Sequence, residues 1–167
     1  MTRNIILIAL LCYCTLTVAH NHDERKGFDI KVTDLGSHIF ELRTDRAGNV
    51  AVLIGDDGVF MVDTQMEHLA QLIDETQKKL SDNRDVNLVI NTHFHRDHVR
   101  GNAYFKKRGA IIMAHPNVRR YLERPQAIKM LGREAPSFTS EYYPLIDVTE
   151  ETSIFMNGQR ILLYHTP

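Results

Sequence analysis

Thr92-His93-Phe94-His95-Arg96-Asp97-His98 decides how this chain is read. Three imidazoles and one carboxylate fall within it, directly after the apolar run Leu88-Val89-Ile90 and Asn91. A short run rich in β-branched residues reads as a buried strand, so the histidines stand at its C-terminal end. Open α/β sheets place their sites at that end. His93 and His95 are two apart, and on extended backbone both side chains leave on the same side and converge on one cation. Neutral imidazole suits zinc, and Asp97 adds a harder oxygen ligand. Asp97 and His98 are adjacent, point differently and can serve a second metal nearby. Two such metals would share a hydroxide, the nucleophile of metal-assisted hydrolysis. From composition alone the pattern is expected in roughly two chains per thousand of this length, which disfavours a merely His-rich surface loop.

Working outward, four segments before the motif are rich in β-branched and aromatic residues: 28–32, 38–42, 50–54 and 59–62. Ala47-Gly48-Asn49 and Asp56-Asp57-Gly58 supply turns between them, which predicts an antiparallel meander. The period then changes, with Met66, Leu69, Leu72, Ile73, Thr76 and Leu80 at helical spacing. Thr64 with Glu67 reads as a capping box, and Asp74–Lys78 and Glu75–Lys79 as i,i+4 pairs. After the motif come a short helix with Asn102 as N-cap, a buried strand over 110–113 and a helix after Pro116. Residues 125–145 read as loop, and Asn157-Gly158 as the turn of a hairpin formed by 153–156 and 160–164. A meander followed by strand–helix alternation predicts an α/β fold with a mixed, mainly antiparallel sheet. The last strand runs almost to the end of the sequence, at His165-Thr166-Pro167, which suggests a domain continuing beyond it.

The 167 residues are 43% apolar and 25% charged with a net charge of −1, ordinary globular values that exclude disorder and collagen. They give no basic excess for a nucleic-acid or anionic-membrane partner. Met1-Thr2-Arg3, the apolar run 5–18 and small residues before Ala19 read as a secretory signal peptide over 1–19. The run is too short for a stable membrane anchor. Both cysteines, Cys12 and Cys14, fall inside it, so the exported segment would hold no disulfide. A polar tail over 20–27 precedes one domain over 28–167, expected to be secreted or periplasmic. His20 and His22 in that tail offer a terminal copper or nickel chelate, though a solvated tail is the plainer account. No feature fixes an oligomeric state.

The motif resembles the first metal-binding motif, H-x-H-x-D-H, of the metallo-β-lactamase fold superfamily. Gly58–Thr64 resembles that family's strand ending in Asp-Thr, Gly101-Asn102 its turn after the motif, and Ala114-His115-Pro116 its next strand end. The resemblance implies the N-terminal half of an αββα sandwich. It implies that His93 and His95 bind a first zinc and that Asp97 and His98 bind a second. Asp97 would also handle the proton of the attacking water. Two zinc ions per complete domain are implied, with metal-bound hydroxide attacking an amide, ester or thioester of a small-molecule substrate. Arg100 departs from the family, where glycine is common, and would narrow the mouth of the site. The family's further ligands belong to a later half of the domain. His165 is either its His-Thr metal ligand or an earlier histidine on the preceding strand, the second being favoured because no glycine separates it from the strand. Asp63 is expected to orient a metal ligand by hydrogen bonding, and His115 to be a pocket or supporting residue. Two functions follow: an exported zinc hydrolase, or an inactive chain that only binds a metal ion.

Overall fold

The structure, a computed structural model, describes residues 28–45, 47–128 and 132–166. The expected signal peptide with its cysteines, and the 20–27 tail with His20 and His22, lie outside the described residues.

The chain runs β1 (Lys31–Gly36), β2 (Ile39–Arg43), β3 (Val50–Gly55), β4 (Gly58–Val62), α1 (Glu67–Leu80), β5 (Val86–Asn91), α2 (Arg96–Val99), α3 (Asn102–Lys107), β6 (Ile111–Ala114) and α4 (Pro116–Leu122). It continues through β7 (Gln126–Ile128), β8 (Arg133–Ala135), a 3-10 turn (Ser140–Tyr142), β9 (Ile146–Asp147), β10 (Thr152–Met156) and β11 (Gln159–Leu163). Seven strands form one sheet in the order β1-β2-β3-β4-β5-β6-β9, while β10-β11 and β7-β8 form two-stranded sheets. Pairing is antiparallel from β1 to β4 and parallel from β4 through β5 and β6 to β9. Both small sheets are antiparallel. The switch follows from the connections: tight turns permit antiparallel neighbours, whereas β4 to β5 and β5 to β6 cross over through helices.

The central strands are apolar on both faces because both are covered. On one side Val52, Ile54, Val59, Met61, Val89 and Ile112 pack under Ile73 of α1 and Phe105 of α3. On the other, Leu53, Phe60, Ile90 and Met113 meet Ile154, Met156, Ile161 and Leu163 of the β10–β11 hairpin. That hairpin turns at Asn157 and Gly158, both at positive φ (54° and 70°), as their sequence predicts.

Several local expectations are corrected. The first strand lies later than 28–32, because β1 extends only where β2 pairs with it, from Lys31 opposite Arg43. Segment 125–145 contains the β7–β8 hairpin and the 3-10 turn. The Asp74–Lys78 pair forms at 3.2 Å, whereas Glu75 accepts a hydrogen bond from Gln71. Thr64 caps nothing: α1 begins after Met66 without a side-chain cap. Left-handed backbone at Asp63 and Gln65 turns Thr64 inward, where its hydroxyl lies 2.9 Å from Asn102 Oδ1 and 3.1 Å from His98 O. Asn102 is likewise no cap: Gly101 takes that position, and the Asn102 side chain is fully buried.

Candidate metal centre

β4 and β5 are parallel neighbours, so Asp63, just after β4, comes beside Thr92, just after β5. The Asp63 N–H donates to Ile90 O at 2.9 Å, fixing that juxtaposition. The chain then stays extended through His95 (φ −61°, ψ 146°), which precedes α2, and one helical turn later His98 faces back toward Asp63.

Asp63 is nearly inaccessible, and its carboxylate oxygens accept three hydrogen bonds. They come from Thr92 N at 2.8 Å, Thr92 Oγ1 at 2.7 Å and His98 Nδ1 at 2.7 Å. The last fixes the tautomer of His98 and leaves Nε2 free, 3.5 Å from Asp97 Oδ2. Thr92 has a single hydroxyl proton, given to Asp63, so toward His93 Nδ1 at 3.0 Å it accepts. His93 therefore carries its proton on Nδ1 and presents the Nε2 lone pair, which lies 3.0 Å from His95 Nδ1. The His93 and His98 rings are 4.0 Å apart between centroids. His93 thus contacts His95, and His98 contacts Asp97, on one loop.

Electrostatics separate two of the histidines. Burial, helped by His98 and His95, pushes the His93 pKa below its ordinary value, so it is neutral and ready as a ligand. The hydrogen bond to Asp63 draws the His98 pKa upward, so a proton competes for its free nitrogen.

Among the described residues, ligand-capable atoms of Asp63, His93 and His98 lie within 4.8 Å of one another. The Asp63 oxygens already accept three hydrogen bonds, from Thr92 and His98, so the carboxylate holds His98 and Thr92 in place as well as lying within reach of an ion. A carboxylate behind an imidazole whose far nitrogen is free is the arrangement that holds metal-ligating histidines in place. Imidazole nitrogens with one carboxylate oxygen fit zinc.

The loop is braced from behind by residues that the sequence reading assigned lesser roles or passed over. Asn102 Nδ2 donates to Asn91 Oδ1 (2.8 Å) and to Tyr142 O (2.9 Å), and Asn91 Nδ2 donates back to Asn102 Oδ1 (3.1 Å). Thr64 joins the same knot. Only the position of two asparagines and a threonine at strand and helix ends could have signalled it. Gly101 packs so tightly that a Cβ would lie 2.1 Å from Thr64 O. Arg100 pairs with Glu67 at 3.0 Å, at the start of α1.

His115 accepts Asn117 N–H at 3.2 Å as the N-cap of α4, and its ring stacks on His165 at 3.9 Å. Both line a cavity of about 440 Å³ that also touches Thr92 and runs between the main sheet and β11.

A mixed sheet with helices on one face, a hairpin on the other and a histidine-rich loop at a parallel strand end is the architecture of the metallo-β-lactamase fold. The chain belongs to the metallo-beta-lactamase superfamily, whose sequence profile matches residues 43–167. Among solved structures it is similar to BJP-1, a subclass B3 metallo-beta-lactamase of Bradyrhizobium japonicum. The identity there is 26% and the TM-score 0.65, over 81% of this chain and 52% of that one. It is also similar in fold to a beta-lactamase from Chitinophaga pinensis (18%, TM-score 0.68, 87% of this chain and 55% of that one). A third likeness is to MIM-1 from Novosphingobium pentaromativorans (22%, TM-score 0.64, 81% of this chain and 50% of that one). The chain thus spans about half the length of the solved structures it matches. No curated protein sequence matches it.

Proposed function

We propose that this chain carries the first half of the active site of an exported, zinc-dependent hydrolase acting on an amide, ester or thioester carbonyl of a small molecule. The observation that carries the reading is the loop geometry. The Nε2 atoms of His93 and His98, the first against His95 and the second beside Asp97, gather at one strand end with Asp63 behind them. His93 and His95 would hold one ion, and Asp97 and His98 a second. When bound, zinc supplies Lewis acidity, making water more acidic and polarising a carbonyl oxygen. Asp97, partly exposed beside His98, takes the proton of the attacking water and returns it to the leaving group. Asp63 and Thr92 hold His98 and His93 in the tautomers that expose their ligand nitrogens. Export is supported by the leader pattern of residues 1–19, with the polar tail after it. Among the described residues no helix is long and apolar enough to cross a membrane.

A second reading, metal binding without turnover, is favoured by the origin of all four donors in one six-residue stretch whose His95 is exposed. Zinc content after equilibration and dialysis, for the wild type against His93→Ala and His95→Ala, tests the centre. A hydrolysis assay with a chromogenic β-lactam and a thioester tests the chemistry. Zinc retained only by the wild type, with zinc-dependent hydrolysis, supports the first reading. Zinc without hydrolysis supports the second, and a wild type no richer in zinc than the variants overturns both.

A further inference from the structure

Gln65 is buried to within 1% of its surface, two residues after Asp63, and the centre's described chemistry does not use it. Its backbone is left-handed at φ 63°, a region that glycine enters freely and long side chains rarely adopt. A buried carboxamide held there needs partners, and it has them. Its Nε2 donates to Gly48 O and lies 3.5 Å from Thr44 Oγ1, both in the connection between β2 and β3. Its Oε1 accepts Met66 N–H at 3.0 Å, and its own carbonyl accepts Gly101 N–H at 3.0 Å. Gln65 is therefore anchored to α1 and to the turn after α2, and from that base it grips Gly48.

Gly48 packs against the metal-facing edge of a proposed ligand. A Cβ at position 48 would stand 2.8 Å from both Cε1 and Nε2 of His98 and 3.1 Å from Asp97 O. Asp63 holds the same ring through Nδ1, on the other side of Cε1.

We infer that Gln65 is a positioning residue that clamps the β2–β3 connection onto His98, so that the imidazole is held between Asp63 and Gly48 with Nε2 correctly aimed. The consequence for metal binding rests on the reading of the centre given above. The clamp itself is a property of the metal-free chain. Glutamate at 65 keeps the acceptor for Met66 but cannot donate to Gly48 O. Glycine at 65 removes the grip while relieving the left-handed backbone.

The test uses Gln65→Glu and Gln65→Gly, with two readouts. In the metal-free protein at fixed pH, the His98 Cε1–H resonance, assigned by its loss in His98→Gln, should shift or broaden in both variants. Cobalt(II) affinity should fall about tenfold or more, the range seen when support behind a metal ligand is removed. The thermal midpoint of Gln65→Gly should fall, since Gly48 O and Met66 N–H lose a buried partner, with relief of the left-handed backbone offsetting part of the loss. A resonance unmoved in both variants overturns the clamp. A wild type that binds no cobalt overturns the metal reading instead, and the metal-free resonance still decides the clamp.

Discussion

Asp63→Asn isolates how the fold prepares a metal-facing nitrogen. Asparagine tolerates the left-handed backbone at φ 60° as well as aspartate does, so the substitution leaves the turn intact. Asn Oδ1 still accepts Thr92 N–H, and the Thr92 hydroxyl can reverse its role. His98 Nδ1 now meets an NH2 group, so it must become the acceptor and its proton must move to Nε2. A charge-assisted hydrogen bond worth about 1.5–3 kcal/mol becomes a neutral one worth about 1 kcal/mol, a net loss of about 0.5–2 kcal/mol. Zinc affinity should fall about 10–100-fold, because the ligand nitrogen is protonated in the resting tautomer. The pH dependence has a defined sign. The hydrogen bond to Asp63 raises the His98 pKa above that of an ordinary imidazole, so this contribution is fully present below the ordinary value and fades as pH rises through the raised one. Urea unfolding of the metal-free proteins should therefore show a wider gap between wild type and variant near roughly pH 6 than near roughly pH 9. An equal gap at both, with unchanged zinc affinity by competition titration, would refute the role given to Asp63.

Three further outcomes follow from the packing around the loop. Asn102→Ala should cost about 3 kcal/mol in chemical unfolding, because it strands Asn91 Oδ1 and Tyr142 O in a buried knot. A loss near 1 kcal/mol, as for a simple helix cap, would contradict that knot. Gly101→Ala should lower the thermal midpoint through a cost of about 2–3 kcal/mol, purely steric because φ is an ordinary −79°. An unchanged midpoint would mean that Thr64 can move aside. Asn157→Ala should speed amide exchange in β10 and β11 about tenfold while β3–β6 stay protected, since Asn157 bonds Asp57 and Gly58 across the two layers. Uniform acceleration throughout would show that the hairpin does not open separately.

Much of the architecture is legible because it rests on short-range patterns. Apolar alternation and turn residues set β2 to β4, helical spacing sets α1, and Asn157-Gly158 sets the last hairpin. The place of the histidine-rich loop is legible for the same reason: its residues fall in one stretch at the end of one strand. The misread residues share a different origin. Thr64 followed by Glu67 looks like a capping box, and Asn102 at a helix start looks like a cap, because local chemistry favours both. Each side chain is taken instead by a partner more than ten residues away, in a buried polar knot where an unmade bond costs more than a missing cap.

Spacing along one backbone was enough to place the histidine-rich stretch 93–98 at the end of β5. Only the tertiary structure decided how those residues are aimed. The parallel pairing of β4 with β5 brings Asp63 to Thr92 and His98, and the left-handed turn at Gln65 brings Gly48 onto the same imidazole. Tautomer and ring orientation depend on hydrogen bonds between segments about 17 to 35 residues apart, and no local propensity encodes bonds at that separation.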